Sequence, residues 1–253
     1  MDITTIIGVI IGIGGILLGQ LLEGGNIGQL MQITAAFIVF GGTIGAIVAS
    51  YPQDALINAV KYLKIAFFND NTNPRSVISE IVGYAQKARK EGVIALEKDA
   101  RQANDIILKM GLESVSDGAD PVMVREMLET KLGVMEEEIK IAAKVWEAAG
   151  GFSPTIGIIG AVLGLIQVMQ NLSDPSKLGA GIAVAFVATV YGVGFANLIA
   201  FPFSTKIKVK AEKESLIKTM MIEGILSIQA GESPALIERK LLAFCSDSDK
   251  EEK

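Results

Sequence analysis

The chain has 253 residues, half of them apolar, a net charge of −5 and no histidine. The single Cys245 excludes a disulfide framework within one chain, and a modest negative charge without a long basic run gives nucleic acid no footing as a partner. The missing histidine excludes His-based proton relays, Ser-His triads and His metal sites.

Four stretches carry no charged residue: 3–22, 24–53, 148–173 and 178–205. A helix crossing a hydrocarbon core of ~30 Å needs about 20 residues, and each stretch supplies them. Inside hydrocarbon every backbone N–H and C=O must be paired within its segment; a helix does this, and no barrel-type alternation is visible. The reading is an all-α polytopic membrane protein with four transmembrane helices and a helical cytoplasmic domain. The expected division is transmembrane helices one and two at 1–50 and the cytoplasmic helical domain at 51–150. Transmembrane helices three and four follow at 151–204, then C-terminal cytoplasmic helices and a polar tail at 205–253.

The first span covers roughly 3–22. Asp2 is the only charge before it, so a basic signal-peptide n-region is missing and the span is expected to stay in the protein. The second span, roughly 30–50, is closed by Tyr51-Pro52. The segment 53–150 reads as helical, with Asn73-Pro74 and Asp120-Pro121 each placing a capping side chain before Pro at the first helical position. Gly92, Gly111 and Gly150 are expected to stop or bend helices. The Glu, Lys, Leu and Met of 122–149 favour one long helix.

Ser153-Pro154 repeats the cap signal and is expected to open the third span, which ends near 172. The turn 173–176 joins it to the fourth. That helix is expected to continue past Pro202 through 206–229, with Gly231 ending it and Ser233-Pro234 opening a short final helix. Residues 246–253 read as a polar, disordered tail.

Orientation follows from the cations. Of 23 basic residues, 13 lie between Lys61 and Lys144 and nine between Lys206 and Lys253, with Lys177 the exception. The positive-inside rule puts the central segment, the tail and both termini in the cytoplasm.

Small residues form a stripe on every span. They are Gly8, Gly12, Gly15 and Gly19 in the first; Gly41, Gly45 and Ala49 in the second; Gly157, Gly160, Ala161 and Gly164 in the third; and Gly181, Ala185, Ala188, Gly192 and Ala196 in the fourth. Such stripes let helix backbones approach where lipid supplies no hydrophobic drive. They suit packing within one bundle and, being on every span, contacts with neighbouring subunits.

No Asp, Glu, Lys or Arg lies deep in any span. Ion pathways ordinarily need an ionisable intramembrane group, so a conducting assembly must take its carboxylate from another chain. No phosphate-binding loop occurs, and the Gly-rich runs lie inside apolar spans. The polar groups within spans three and four are mainly Thr155, Gln167 and Thr189. Thr189 shares the small-residue face of span four; its local alternative is a hydroxyl bonded to the carbonyl one turn earlier.

The segment 89–97, Arg-Lys-Glu-Gly-Val-Ile-Ala-Leu-Glu, and the segment 120–130 with Met135-Glu-Glu after it resemble the cytoplasmic signatures of the flagellar motor stator family MotA. The segments 152–165, 188–197 and 223–231 resemble that family's third span, fourth span and tail, in the same order. The resemblance runs from about 3 to 242. It implies a ring of identical subunits, pentameric in the family, around the membrane helices of a dimer of a single-span MotB-like partner that supplies the membrane Asp. Ion passage would turn the ring, and the cytoplasmic domain would push the rotor protein FliG. Such work is mechanical, with no bond-making catalysis, no cofactor and no metal; membrane lipid is the surrounding medium.

By the same resemblance Arg89 and Glu97 are the charged pair that engages the rotor, on one face if the helix runs through Gly92. Pro154 and Pro202 match two prolines at the cytoplasmic ends of spans three and four; Pro202 also interrupts a helix expected to continue, as a hinge would. Ala161 stands where sodium-driven relatives tend to carry Thr, and lacking that oxygen ligand favours protons. Tyr191 and Phe195 give span four more aromatic bulk than the family leads one to expect. An ExbB/TolQ-type proton-channel subunit resembles the third and fourth spans, but such proteins have three spans. A non-conducting scaffold would need only the glycine stripes.

Overall fold

The computed structural model describes residues 2–68 and 72–245, the side chains of 176 and 177 excepted. The expected polar tail, 246–253, lies outside them. In chain order the helices are α1 (Ile3–Leu22), α2 (33–50), α3 (Gln53–Phe67), α4 (Pro74–Glu91), α5 (Glu97–Gln102), α6 (Ile106–Ser116), α7 (Pro121–Gln170), α8 (175–229) and α9 (Pro234–Leu241). Short 3₁₀ turns at Ile27–Leu30 and Val93–Leu96 precede α2 and α5, and no strand occurs among the described residues. Among the described residues four helices are long and apolar enough to cross a membrane: Ile3–Leu22, Ile27–Ser50, and parts of Pro121–Gln170 and Leu178–Gln229.

Side-chain caps set several starts. Asn73 accepts from the Arg75 N–H at 2.9 Å, Asp120 from Val122 at 2.9 Å, and Ser233 from Leu236 at 3.3 Å, in each case with Pro next in sequence. Asp105, unmarked by a proline, caps α6 by accepting from Ile107 at 2.8 Å. Gly92 and Gly231 stop helices with φ of +85° and +72°, values that a side chain would strain.

Three sequence expectations give way here. Ser153-Pro154 does not begin a helix: α7 runs unbroken for 50 residues with Pro154 inside it. The ring removes one N–H from the ladder, and the helix continues through it. Ser153 is fully buried, and its hydroxyl donates across the packing to the Gly192 carbonyl at 3.1 Å instead of capping. Gly150 and Gly111 do not stop a helix: α7 and α6 run on through them. They are small because a neighbour is close: a Cβ on Gly150 would lie 2.7 Å from the Phe201 ring, and one on Gly111 2.3 Å from Ile225 Cδ1.

The chain folds as two compact units. The first comprises Met1–Asn69 and Glu138–Val209. Its apolar helices meet through glycine: a Cβ on Gly164 would sit 2.6 Å from the Gly181 carbonyl oxygen, and one on Gly192 2.4 Å from that of Ser153. Spans three and four therefore pack backbone to backbone. α3 lies against residues of α7, its Ala55 and Ala59 facing Val145, and the Trp146 indole donates to the Ala59 carbonyl at 3.0 Å.

The stripe on α1 behaves differently. A Cβ on Gly12 would lie 2.9 Å from the Leu198 side chain, but Gly8, Gly15 and Gly19 have nothing within 4 Å of a built Cβ, as do Gly41 and Gly45 of α2.

The second unit comprises Asp70–Glu137 and Lys210–Lys253. Its core holds the fully buried Ile81, Leu96, Ile107, Leu112, Leu128, Met220, Ile225, Ile237 and Leu241. Burying a side chain of this kind is worth roughly 1.5–3 kcal/mol each, and the close crossings of Gly111 on Ile225 and Gly224 on Ile81 allow it.

Candidate ion pathway and partner-binding residues

In the first unit, Pro154 and Thr189 border one seam. Ser153, next to Pro154, bonds Gly192; a Cβ on Gly157 would lie 2.9 Å from the Ala188 carbonyl oxygen and 3.4 Å from Thr189 Cα. Ala161 sits half-buried between Gly160 and Gly164, both packed on span four. The half-buried Thr189 donates its hydroxyl to the Ala185 carbonyl at 3.2 Å, the local bond expected of a helical threonine. A rotation about χ1 frees that hydrogen for another acceptor. Thr155, also in the third span, is exposed and bonds back to Phe152 at 2.8 Å.

Pro202 stands apart from this seam, exposed on α8. A π-turn, Ala196–Ala200, ends two residues before it, and such wide turns accommodate interruptions of the α-ladder. Span two carries a second π-turn, Phe37–Gly41. Phe40 in that turn packs edge-on to Phe195 at 5.6 Å and stacked on Tyr191 at 6.0 Å. The aromatic bulk of span four is thus spent on span two.

Arg89 and Glu97 lie in the second unit, both exposed. The condition for their sharing one helix face is not met, because Gly92 ends α4 and a 3₁₀ turn intervenes before α5. Glu97 pairs instead with Arg101, one turn on, at 2.6 Å. Arg89 makes no ion pair among the described residues. Ile94, between them, is 74% exposed while Leu96 of the same turn is fully buried, so the turn is anchored at one end.

Some polar clusters were not legible in the sequence. Lys218 is 7% exposed and reaches Asp105 at 2.7 Å and Glu214 at 3.3 Å. Burial works against its charge, but the Asp105 hydrogen bond and the two carboxylates hold its affinity for the proton above that of an ordinary lysine. Arg125 bonds Glu223 at 2.7 Å, with Lys240 at 3.5 Å on the other oxygen. The Arg125 hydrogen bond, opposed by partial burial and aided by both cations, holds the Glu223 carboxyl below its usual range. The missed signal was Asp105 before an apolar run, an N-cap without proline.

Comparison with known proteins covers almost the whole chain. The model of the MotA/TolQ/ExbB proton channel family matches residues 99–220, and that of the motility protein A N-terminal region matches residues 6–92. Motility protein A of Helicobacter pylori is 37% identical over 249 residues, 98% of this chain and 97% of that protein. A structure of C. jejuni MotAB aligns with a TM-score of 0.92 at 30% identity, covering 98% of this chain and 97% of that one. A structure of the flagellar MotAB stator complex from Bacillus subtilis aligns at 0.87 and 32% identity, covering 98% of both chains.

Proposed function

This chain belongs to the MotA/TolQ/ExbB proton channel family, and we propose that it is a flagellar motor stator subunit that couples ion flow through the cell membrane to torque on the rotor protein FliG. The observation that carries the reading is a full-length likeness to MotAB stator chains in a chain with four apolar helices and no charge deep in any of them.

The ion-binding carboxylate belongs to a MotB-like single-span partner dimer, enclosed by a ring of copies of this chain. Both termini and the second unit are cytoplasmic, as the Lys and Arg distribution supports. Arg89 and Glu97 engage the rotor. Pro154, Ala161 and Thr189 border the ion route, and Pro202 with its π-turn is where α8 yields. Ala161 makes the ion a proton. The protein transduces energy and makes no bonds. One charge falling through 100 mV releases about 2.3 kcal/mol, enough to repopulate conformers a few kcal/mol apart.

The test is proton uptake into vesicles. The chain alone is expected not to dissipate a proton gradient; with its partner, freed of any plug, it conducts without sodium. Conduction by the chain alone, or none with the partner present, overturns the proposal.

A further inference from the structure

The helix break between Ile27–Leu30 and α2 creates a problem that Tyr191 solves. Leu30 ends the 3₁₀ turn, and Gln32, the N-cap of α2, has no side-chain cap. The Tyr191 hydroxyl donates to the Leu30 carbonyl at 2.5 Å and accepts from the Gln32 N–H at 3.2 Å. Tyr191 lies in the interior of the uncharged run 178–205, and the two backbone groups it pairs stand at the start of the second span, where an unpaired group facing hydrocarbon is costly. Its ring stacks on Phe40, about two turns into α2.

Span four therefore has two faces with different fastenings. Gly181, Ala185, Ala188 and Gly192 meet span three, and Val184, Val187 and Tyr191 meet Ala35 and Val39 of span two. The seam with span three is a close backbone approach with one side-chain bond across it, Ser153 to the Gly192 carbonyl. On the other face the Tyr191 hydroxyl is held by two backbone groups of span two, which fixes the azimuth of span four from that side. We propose that Tyr191 is a positioning residue for ion passage: it fixes the rotation of span four that presents Thr189 at the third-span seam. The inference rests on the role given to Thr189 above.

The test uses the complete complex with its partner and compares Tyr191→Phe, Thr189→Val, the double variant and Phe40→Leu. Ring assembly is scored by native mass spectrometry and proton flux is normalised to assembled complex. Tyr191→Phe is expected to assemble normally and to lose at least threefold in flux. The double variant should conduct no worse than the weaker single, because both changes act at one point. Phe40→Leu keeps the hydroxyl and should retain more than half of the flux.

Independent, multiplicative losses in the double variant would overturn the inference. So would wild-type flux in Tyr191→Phe beside a poor Thr189→Val, a result that leaves Thr189 its role. Equal losses in Phe40→Leu and Tyr191→Phe, or a Tyr191→Phe chain that forms no rings, would make Tyr191 a packing residue and overturn it too. Wild-type flux in Thr189→Val removes the role of Thr189 itself and, with it, the destination claimed for Tyr191.

Discussion

The carboxylate of Asp2 holds the ammonium of Lys206 at 2.9 Å, four residues past Pro202. Asp2 is 7% exposed. Thr4 Oγ1 completes the group, donating to Asp2 Oδ1 at 2.7 Å and accepting from Lys206 at 2.6 Å. The same N-terminal turn closes the end of α3: the Asp2 N–H donates to the Phe67 carbonyl at 2.7 Å and the Thr5 hydroxyl to Ala66 at 2.8 Å. The start of span one thus clasps α3 and the segment beyond the Pro202 interruption.

Asp2→Asn should lower the stability of the purified complex by about 1–3 kcal/mol, less than for a fully buried pair because the Lys206 side chain keeps 28% exposure. Asp2→Lys with Lys206→Asp should recover part of the loss. Thermal unfolding in detergent measures both; unchanged melting in Asp2→Asn would show the clasp to be energetically idle.

The glycine seam and the glycine stripe predict opposite results. Gly164→Ala forces a methyl against the Gly181 carbonyl and the Ala185 amide, and overpacking of this kind costs about 1–3 kcal/mol. Gly15→Ala meets nothing in its own chain and leaves the protomer intact. If Gly15→Ala nevertheless abolishes rings in native mass spectrometry, that stripe is packed by another chain.

For the rotor pair, Arg89→Ala and Glu97→Lys should impair swimming while rings and partner binding survive. The Glu97–Arg101 pair is exposed on both sides, so its loss changes stability by under ~1 kcal/mol. Normal swimming of either variant, or failed assembly, would remove the assignment.

Thr189→Val preserves shape and deletes the hydroxyl, and it should reduce torque with rings intact; Thr189→Ser should largely preserve it. Flux measured with and without sodium reads Ala161 at the same time, since a strict sodium requirement contradicts a proton path.

The Glu223 carboxyl titrates below its reference value of 4.5, chiefly through the Arg125 hydrogen bond. A depressed carboxyl stabilises the fold above the unfolded value and loses that contribution as pH falls through the folded one. Glu223→Gln should therefore be less stable than the parent at pH 7, the gap closing below about pH 4.5. Equal melting temperatures at pH 7 would contradict the linkage.

The spans, the helix starts at Asn73-Pro74, Asp120-Pro121 and Ser233-Pro234, and the run past Pro202 were legible because each rests on local chemistry: length, capping and apolarity. What failed was long-range. Ser153-Pro154 carries the local signature of a helix start, and Gly111 and Gly150 that of a stop, yet neighbours reached by tertiary packing decide all three. The seam was legible as spacing of small residues; which stripes are filled was not, because that depends on the partner helix. Asp2 attracted notice only as a missing basic residue, since nothing in a sequence pairs it with Lys206.

The π-turns in α2 and α8 have a bearing on how this chain tolerates changes of length. An α-helix advances about 100° per residue, so an inserted or deleted residue turns every later side chain to a new azimuth. A π-turn holds one surplus residue without that turning. Deleting one residue within Phe37–Gly41 or Ala196–Ala200 restores an ordinary helix and leaves everything beyond it facing as before. Natural length variation inside these two spans has a place to fall.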